Sequence, residues 1–257
     1  MTQVSQEMGD IMDIRGYPTW AQEVVQECQV ARDRVTGHEL YRRMRENVVS
    51  PEVMRNFLVG VWPVIWAFPQ YMAKSLCRVQ PGVRGHADAR TYLIKNIRVE
   101  NKHALLWTHW AEAHDISRYE LRHGRRSVAA EALSHWCADI CGSAPLAVGM
   151  AATNYAIEGA TGDWSCYICS SSTYAEAFPP EGRKRAMAWL TAHAEYDDKH
   201  PWEALAIIVK VLGFSPASRQ IRAVKNAIER SYDYMCLTQD SCLDHVERAT
   251  TRLESAA

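Results

Sequence analysis

The chain lacks several patterns that would place it in a common class of protein. Its 257 residues carry 29 basic and 30 acidic side chains, so the positive excess typical of nucleic-acid binding is absent. The first residues show neither the basic nor the apolar segment of a secretory signal, and eight cysteines without such a signal indicate a reduced, cytoplasmic protein. Internal repeats and low-complexity linkers are missing as well. We therefore expect one cytoplasmic domain over residues 1–257, with a core from about 17 to 247.

Strand signals are also missing, because β-branched alternation is absent and almost every segment shows the helical period. Ser50 followed by Pro51 is a helix start signal. The uncharged run 57–73 is shorter than the roughly 20 residues that cross a membrane, and it contains Pro63 and Pro69. It is expected to be a buried, proline-kinked helix without stable membrane insertion. The sequence therefore predicts an all-α fold.

The cysteines include two closely spaced pairs. Cys166 and Cys169 form a CxxC pattern, and Cys137 and Cys141 are four residues apart. A zinc or redox site is one interpretation of the CxxC pair. Packing of thiols on one helix face explains spacings of three and four equally simply, and we favour it.

The segment 193–200 carries the clearest chemical signal. On a helix, His193, Asp197 and His200 are separated by four and three residues and share one face. Two imidazoles and a carboxylate on one stripe form a ligand set for a transition metal. A solvated polar face and a buried, hydrogen-bonded histidine pair are alternatives that this segment alone leaves open.

Two other segments carry residues of the same kind. Glu100 and His103 form an ExxH pair, whose spacing lets both side chains reach one metal centre, although many surface helices contain such a pair. Glu158 is isolated among small and apolar residues, where a carboxylate needs a partner, either in a salt bridge or as a bridging metal ligand. Gly159 and Gly162 each weaken a helix by about 1 kcal/mol, which predicts a close neighbour or a local distortion there.

Taken together, these segments supply enough ligands for two metal ions about 3.5–4 Å apart. The candidate ligands are Glu100, His103, Glu158, His193, Asp197 and His200. Three carboxylates carry −3 against +4 for two ferrous ions, so one anionic substrate would neutralise the cluster. The mixed nitrogen and oxygen set favours iron or manganese over structural zinc. The residues expected to contact a substrate are Trp62, Ile65, Trp66, Tyr71 and Asn154. For the first four, which belong to the uncharged run, filling the core is the alternative.

These motifs resemble a known family. An ExxH pair, a separate glutamate and HxxxDxxH are the ligand pattern of the haem-oxygenase-like di-iron oxidases, within the TenA and PqqC-like helical superfamily. The longer runs 38–41, 96–100, 154–162 and 196–205 resemble the UndA-like branch, which comprises medium-chain fatty-acid decarboxylases. The resemblance extends from about residue 17 to 234.

The resemblance implies that the six candidate ligands are catalytic and hold two Fe²⁺ ions per chain, the second of them labile, with O₂ as co-substrate. The implied reaction is oxidative decarboxylation of a saturated fatty acid to a terminal 1-alkene and CO₂, for example lauric acid to 1-undecene. It requires an external electron donor. Assembly of the chain into a homodimer is left open. Two alternatives remain open: a di-iron oxygenase that fragments or N-oxygenates an amino acid or amine, and a non-enzymatic helical protein that binds iron or a ligand.

Overall fold

The computed structural model describes residues 11–196 and 199–254, with the backbone alone for Tyr196 and for residues 244–254. Within these residues the secondary structure is helical, without a strand, as predicted. The α-helices are α1 (Thr19–Thr36), α2 (Glu39–Arg45), α3 (Pro51–Leu76), α4 (His86–Glu112), α5 (Arg118–His123), α6 (Val128–Ser143), α7 (Leu146–Met150), α8 (Glu158–Cys169), α9 (Thr173–Glu176), α10 (Pro180–Tyr196), α11 (His200–Leu212) and α12 (Ser218–Glu254). A π-helix, Ala151–Ile157, joins α7 to α8.

Helix starts follow the local capping chemistry of the sequence. Ser50 caps α3 by accepting a hydrogen bond from the Val53 amide at 3.2 Å, and Pro51 occupies the first turn. Ser127 caps α6 in the same way through the Ala130 amide at 3.1 Å. A side-chain oxygen at this position satisfies an amide that has no carbonyl partner within the helix. The predicted start of α3 is therefore confirmed.

The uncharged segment 57–73 lies within α3, which continues through Pro63 and Pro69 as one helix of 26 residues. One face of α3 is buried against α4 and α6. No helix among the described residues is long and apolar enough to cross a membrane.

Helix α4 connects the two apolar clusters of the core. Residues before Glu100, such as Tyr92 and Leu93, pack in the cluster formed with α1, α11 and α12. Residues after His103, such as Trp107, pack in the cluster formed with α2, α3 and α10. The ExxH pair therefore lies where the two clusters meet.

The segment 193–200 spans the end of one helix and the start of the next, beside Pro201, where the sequence predicts that the helix kinks or restarts. Helix α10 ends at Tyr196, and α11 begins at His200 with Pro201 in its first turn. Proline is tolerated in a first turn because the missing amide hydrogen would have no partner there, whereas in a helix interior it breaks a hydrogen bond. Asp197 lies outside the described residues, so the predicted shared face is not tested for it. A Cβ on Gly159 would lie 3.3 Å from the Pro201 Cβ, which explains the glycine as a close approach of α8 and α11.

Candidate metal centre

Three of the candidate ligands form a compact buried group. Glu100 and His103 project from α4 and His193 from α10, and one ligand atom from each lies within 4.8 Å of the other two. Their exposed fractions are 5%, 8% and 5%. Two imidazoles and one carboxylate form the ligand set that non-haem ferrous oxygenases use while leaving positions for oxygen and substrate. The geometry and the donor types fit a bound iron ion.

The two histidines are oriented by hydrogen bonds on the ring nitrogen Nδ1. The Nδ1 atom of His193 lies 2.8 Å from the carbonyl oxygen of Trp189, which can only accept, so Nδ1 carries the proton. The Nε2 atom then has the lone pair that a metal would bind. In His103, Nδ1 lies 2.8 Å from Glu100 Oε2, and the two histidine rings are 4.4 Å apart between centroids. These contacts fix the orientation of both imidazole rings.

Glu158 starts α8 and lines the same cavity as the compact group, although it is not a member of that group. Its Oε1 accepts a hydrogen bond from Asn154 Nδ2 at 3.4 Å, and its Oε2 lies 3.3 Å from the Tyr92 hydroxyl. The same hydroxyl is 3.3 Å from the backbone carbonyl of His200. Tyr92 therefore connects the start of α8 with the start of α11.

Tyr92 is a site residue that the sequence reasoning missed. Burial, with the nearby Glu158 and Glu100 carboxylates, raises the pKa of Tyr92 well above its ordinary value, so the hydroxyl keeps its proton and remains a donor. The signal was present in the sequence, because Tyr92, Asn96 and Glu100 are spaced by four residues on one face of α4 and all three are buried.

The remaining candidate ligand with described coordinates is His200, which is buried at the first position of α11. Its ring is not part of the compact group. Of the six candidate ligands, the structure therefore gathers three tightly and places Glu158 on the same cavity. Asp197 lies outside the described residues.

A largely apolar cavity opens on these residues. It contains about 680 Å³ of space free of protein atoms, part of it open to solvent. The lining residues that are neither acidic nor histidine are Tyr41, Phe57, Val61, Val64, Ile65, Phe68, Trp107, Leu133, Ile157, Thr161, Trp164, Trp189, Met235, Thr238 and Gln239. Such an apolar space with a few convergent polar groups is the usual form of a small-molecule site.

Of the five residues expected to contact a substrate, only Ile65 lines this cavity. The cavity face of α3 carries residues 57, 61, 64, 65 and 68, so Trp66, about 100° further around the helix, points away and is 55% exposed. Trp62 packs beside Trp66 at 5.7 Å, and the Tyr71 hydroxyl is 2.9 Å from Ser134 Oγ. Trp62 and Tyr71 therefore fill the core, which is the other role expected of them, and Trp66 does neither.

Asn154 does not line the cavity either, and its side chain supports Glu158 instead. The sequence reasoning also missed the wall that α12 contributes through Met235, Thr238 and Gln239. No local pattern marks these residues, because their position depends on how α12 packs against the rest of the chain.

Comparison with known proteins gives one family. Residues 55–233 match the family described as iron-containing redox enzyme, of the haem-oxygenase type. No curated protein matches the chain by sequence.

Solved structures share the fold. A TenA homologue from Pseudomonas syringae pv. tomato is 47% identical, with a TM-score of 0.90 over 92% of this chain and 97% of that one. A domain of unknown function with a haem-oxygenase-like fold from Shewanella denitrificans is 13% identical, with a TM-score of 0.69 over 88% of this chain and 92% of that one. A protein described as a candidate TenA-like thiaminase from Sulfolobus solfataricus is 14% identical, with a TM-score of 0.63 over 87% of this chain and 95% of that one. The last two are similar in fold alone.

Proposed function

Because the chain belongs to the family of iron-containing redox enzymes with a haem-oxygenase-like fold, we propose that it decarboxylates a medium-chain saturated fatty acid to a terminal alkene in an O₂-dependent reaction. The observation that carries the proposal is the cavity, which is apolar along most of its wall and meets Glu100, His103, Glu158 and His193. A fatty acid has the same division, with an alkyl chain and one anionic end.

The compact group would hold one iron ion, and we assign Glu158, Asp197 and His200 to a second. The family resemblance implies these six ligands together, and the division between the two ions is our own. Bound ferrous iron would supply electrons for oxygen activation and a positive charge for the substrate carboxylate. The described donor set is nitrogen and oxygen only, and no described cysteine lines the cavity, which fits iron better than a structural zinc site.

The chain's own residues would bind and orient the acid. The apolar face of α3 contacts the alkyl chain, and each buried methylene contributes about 0.8 kcal/mol to binding. The same wall excludes water from the reacting end, which strengthens the attraction between the carboxylate and the metal centre. Tyr92 keeps its proton and donates a hydrogen bond to Oε2 of Glu158, while Asn154 donates to Oε1.

The overall reaction is balanced by two electrons from outside the substrate. Removal of the carboxyl group and of one hydrogen from C3 yields the alkene and CO₂ and supplies two electrons. Reduction of O₂ to two water molecules takes four electrons and four protons. An external donor must therefore supply the other two electrons in each turnover.

The cavity favours this substrate class over an amine or an amino acid. Among its described lining residues, the charged groups are Glu100 and Glu158, and both are candidate metal ligands. An ammonium group in the apolar part of the cavity would be desolvated without an ionic partner, which is costly. The Sulfolobus protein described as a candidate thiaminase is 14% identical to this chain, so that description carries no substrate over to it.

The test is anaerobic loading with Fe²⁺, followed by O₂, a chemical reductant and a panel of saturated acids around lauric acid. Headspace gas chromatography should detect the terminal alkene that is one carbon shorter than each accepted acid. His193→Ala should abolish the product, whereas Trp66→Ala, which changes an exposed side chain outside the cavity, should leave it. If no acid yields alkene while an amine or amino acid gives an O₂-dependent product, the alternative oxygenase is correct. Iron uptake without any substrate-dependent O₂ consumption would indicate an iron-binding protein.

A further inference from the structure

A continuous series of aromatic rings leads away from the candidate ligand His193. The Trp189 ring stacks on the His193 ring, with 3.8 Å between centroids. The Trp110 ring stacks on Trp189 at 5.6 Å with an interplanar angle of 20°. Trp110 Nε1 donates a hydrogen bond of 2.9 Å to the Tyr174 hydroxyl. Each step thus joins neighbouring side chains through a stacked pair or a hydrogen bond.

The outer end of the series has a proton acceptor. The Tyr174 hydroxyl accepts from Trp110 Nε1 and lies 2.8 Å from His114 Nε2; in the tautomer that carries the imidazole proton on Nδ1, Nε2 accepts the phenolic proton. Burial lowers the pKa of His114 to about 4, so the ring is neutral near pH 7 and can accept. Burial also raises the pKa of Tyr174, which therefore does not ionise by itself.

This end lies close to the surface. His114 is half-buried, and its ring packs edge-on against Phe178 at 5.3 Å. Phe178 lines a surface groove together with Ala113 and Asp115, the two neighbours of His114 in sequence. The aromatic series therefore extends from the candidate metal centre to within one side chain of a solvent-open groove.

A second branch leaves Trp189 but does not end in the same way. Trp164 stacks on Trp189 at 5.3 Å, and Tyr41 stacks on Trp164 at 4.5 Å. Tyr41 is 2% exposed, and its hydroxyl accepts from Gln239 Nε2 at 2.8 Å. Among the described contacts of this hydroxyl there is no imidazole or carboxylate, so this branch has no base for a phenolic proton.

We propose that Trp189, Trp110 and Tyr174 form a one-electron relay that carries electrons from a donor at the surface groove to the metal centre at His193. Tryptophan and tyrosine are the side chains that a strong oxidant can oxidise by one electron, and the series contains only these types. The proposal rests on the proposed function, in which each turnover needs two electrons from an external donor.

The charge and proton balance closes within the relay. An electron lost from Trp189 to the oxidised metal centre would be replaced by one from Trp110. Tyr174 then gives one electron to the oxidised Trp110 and, in the same event, its phenolic proton to His114 Nε2. A one-electron donor at the groove, such as ascorbate, then reduces the tyrosyl radical, and His114 returns the proton. One electron moves inward, and no proton is consumed within the relay.

The first test uses metal-free protein, so that it does not depend on iron or on a fatty acid. Azide radicals generated by pulse radiolysis oxidise tryptophan. Electron transfer from tyrosine to the tryptophan radical is then followed by the absorbance of the two radicals. In the wild type we expect a first-order phase that does not depend on protein concentration. Tyr174→Phe and Trp110→Phe should lose this phase. Trp107→Phe is the matched control, because Trp107 also contacts Trp189 and Trp110, at 4.7 and 5.1 Å, while its Nε1 donates to the Leu58 carbonyl.

The second test uses iron-loaded protein exposed to O₂ without substrate and frozen rapidly for electron paramagnetic resonance. A tyrosyl radical signal is expected that disappears in Tyr174→Phe, persists in Tyr41→Phe and is quenched by ascorbate. His114→Gln, which keeps a hydrogen-bonding side chain but removes the base, should also lose it. Circular dichroism and iron content check that each variant is folded and loaded.

The relay is refuted if Tyr174→Phe keeps both the intramolecular phase and the radical signal, or if Trp107→Phe loses the phase as completely as Trp110→Phe. Failure of the proposed function looks different. In that case wild-type protein gives no alkene from chemically pre-reduced iron, while the phase in metal-free protein is still lost in Tyr174→Phe.

Discussion

The role of Tyr92 can be tested by removing one oxygen atom, that of its hydroxyl group. Tyr92→Phe removes the hydroxyl that lies 3.3 Å from both Glu158 Oε2 and the His200 carbonyl and leaves the ring in place. A hydrogen bond to a charged group contributes about 1.5–3 kcal/mol. Because 3.3 Å is longer than the roughly 2.7 Å of a strong O–H···O contact, the lower value of about 1.5 kcal/mol applies. This free energy corresponds to about a tenfold change in affinity.

We therefore expect Tyr92→Phe to weaken the second iron by about tenfold, within the range for residues that orient a metal ligand. The first iron should bind normally, because the Tyr92 hydroxyl is not hydrogen-bonded to Glu100, His103 or His193. Anaerobic Fe²⁺ titration by calorimetry, with chelator competition, measures both affinities.

The matched control is Tyr71→Phe. Tyr71 is also buried, at 2% exposure, and its hydroxyl contacts Ser134 Oγ at 2.9 Å, away from the cavity. This variant should lose stability of the order of 1 kcal/mol without any change in iron binding. The reasoning fails if Tyr92→Phe binds both ions as the wild type does, or if Tyr71→Phe weakens the second ion equally.

Three further predictions follow from the same structure. Phe68→Ala removes a ring from the cavity wall and enlarges the cavity, so the preferred acid should become longer, as measured by gas chromatography of the alkenes. Trp66→Ala should not change the preferred acid, because Trp66 is 55% exposed and outside the cavity. His114 has a pKa lowered to about 4 in the folded chain, so the unfolded chain binds more protons between pH 6.5 and 4. The free energy of unfolding therefore decreases as the pH falls through this window. Urea unfolding of metal-free protein should show a smaller decrease in His114→Gln than in the wild type. Deuterium at C3 of the acid should slow alkene formation if removal of that hydrogen limits the rate, whereas deuterium at C2 should not. A reaction slowed by deuterium at C2 alone would contradict removal of the C3 hydrogen.

The sequence by itself determined the helical class and the start of α3. Helical capping is a local property, so Ser50 with Pro51 marked the first turn of α3 where the structure has it. The ExxH pair was equally readable, because a spacing of three places Glu100 and His103 on one helix face whatever the rest of the chain does.

Only the tertiary structure decided which residues form the cavity and what surrounds the ligands. Trp66 and Ile65 are neighbours in sequence and equally apolar in pattern. The packing of α3 against α4 and α6 nevertheless places the partly buried Ile65 in the cavity wall and exposes Trp66. The contact of Tyr92 with Glu158 and the aromatic series from His193 to His114 join segments distant in sequence. Local periodicity gives the direction of a side chain from its own helix, but the neighbour it meets depends on how the helices pack, and that is a property of the whole chain.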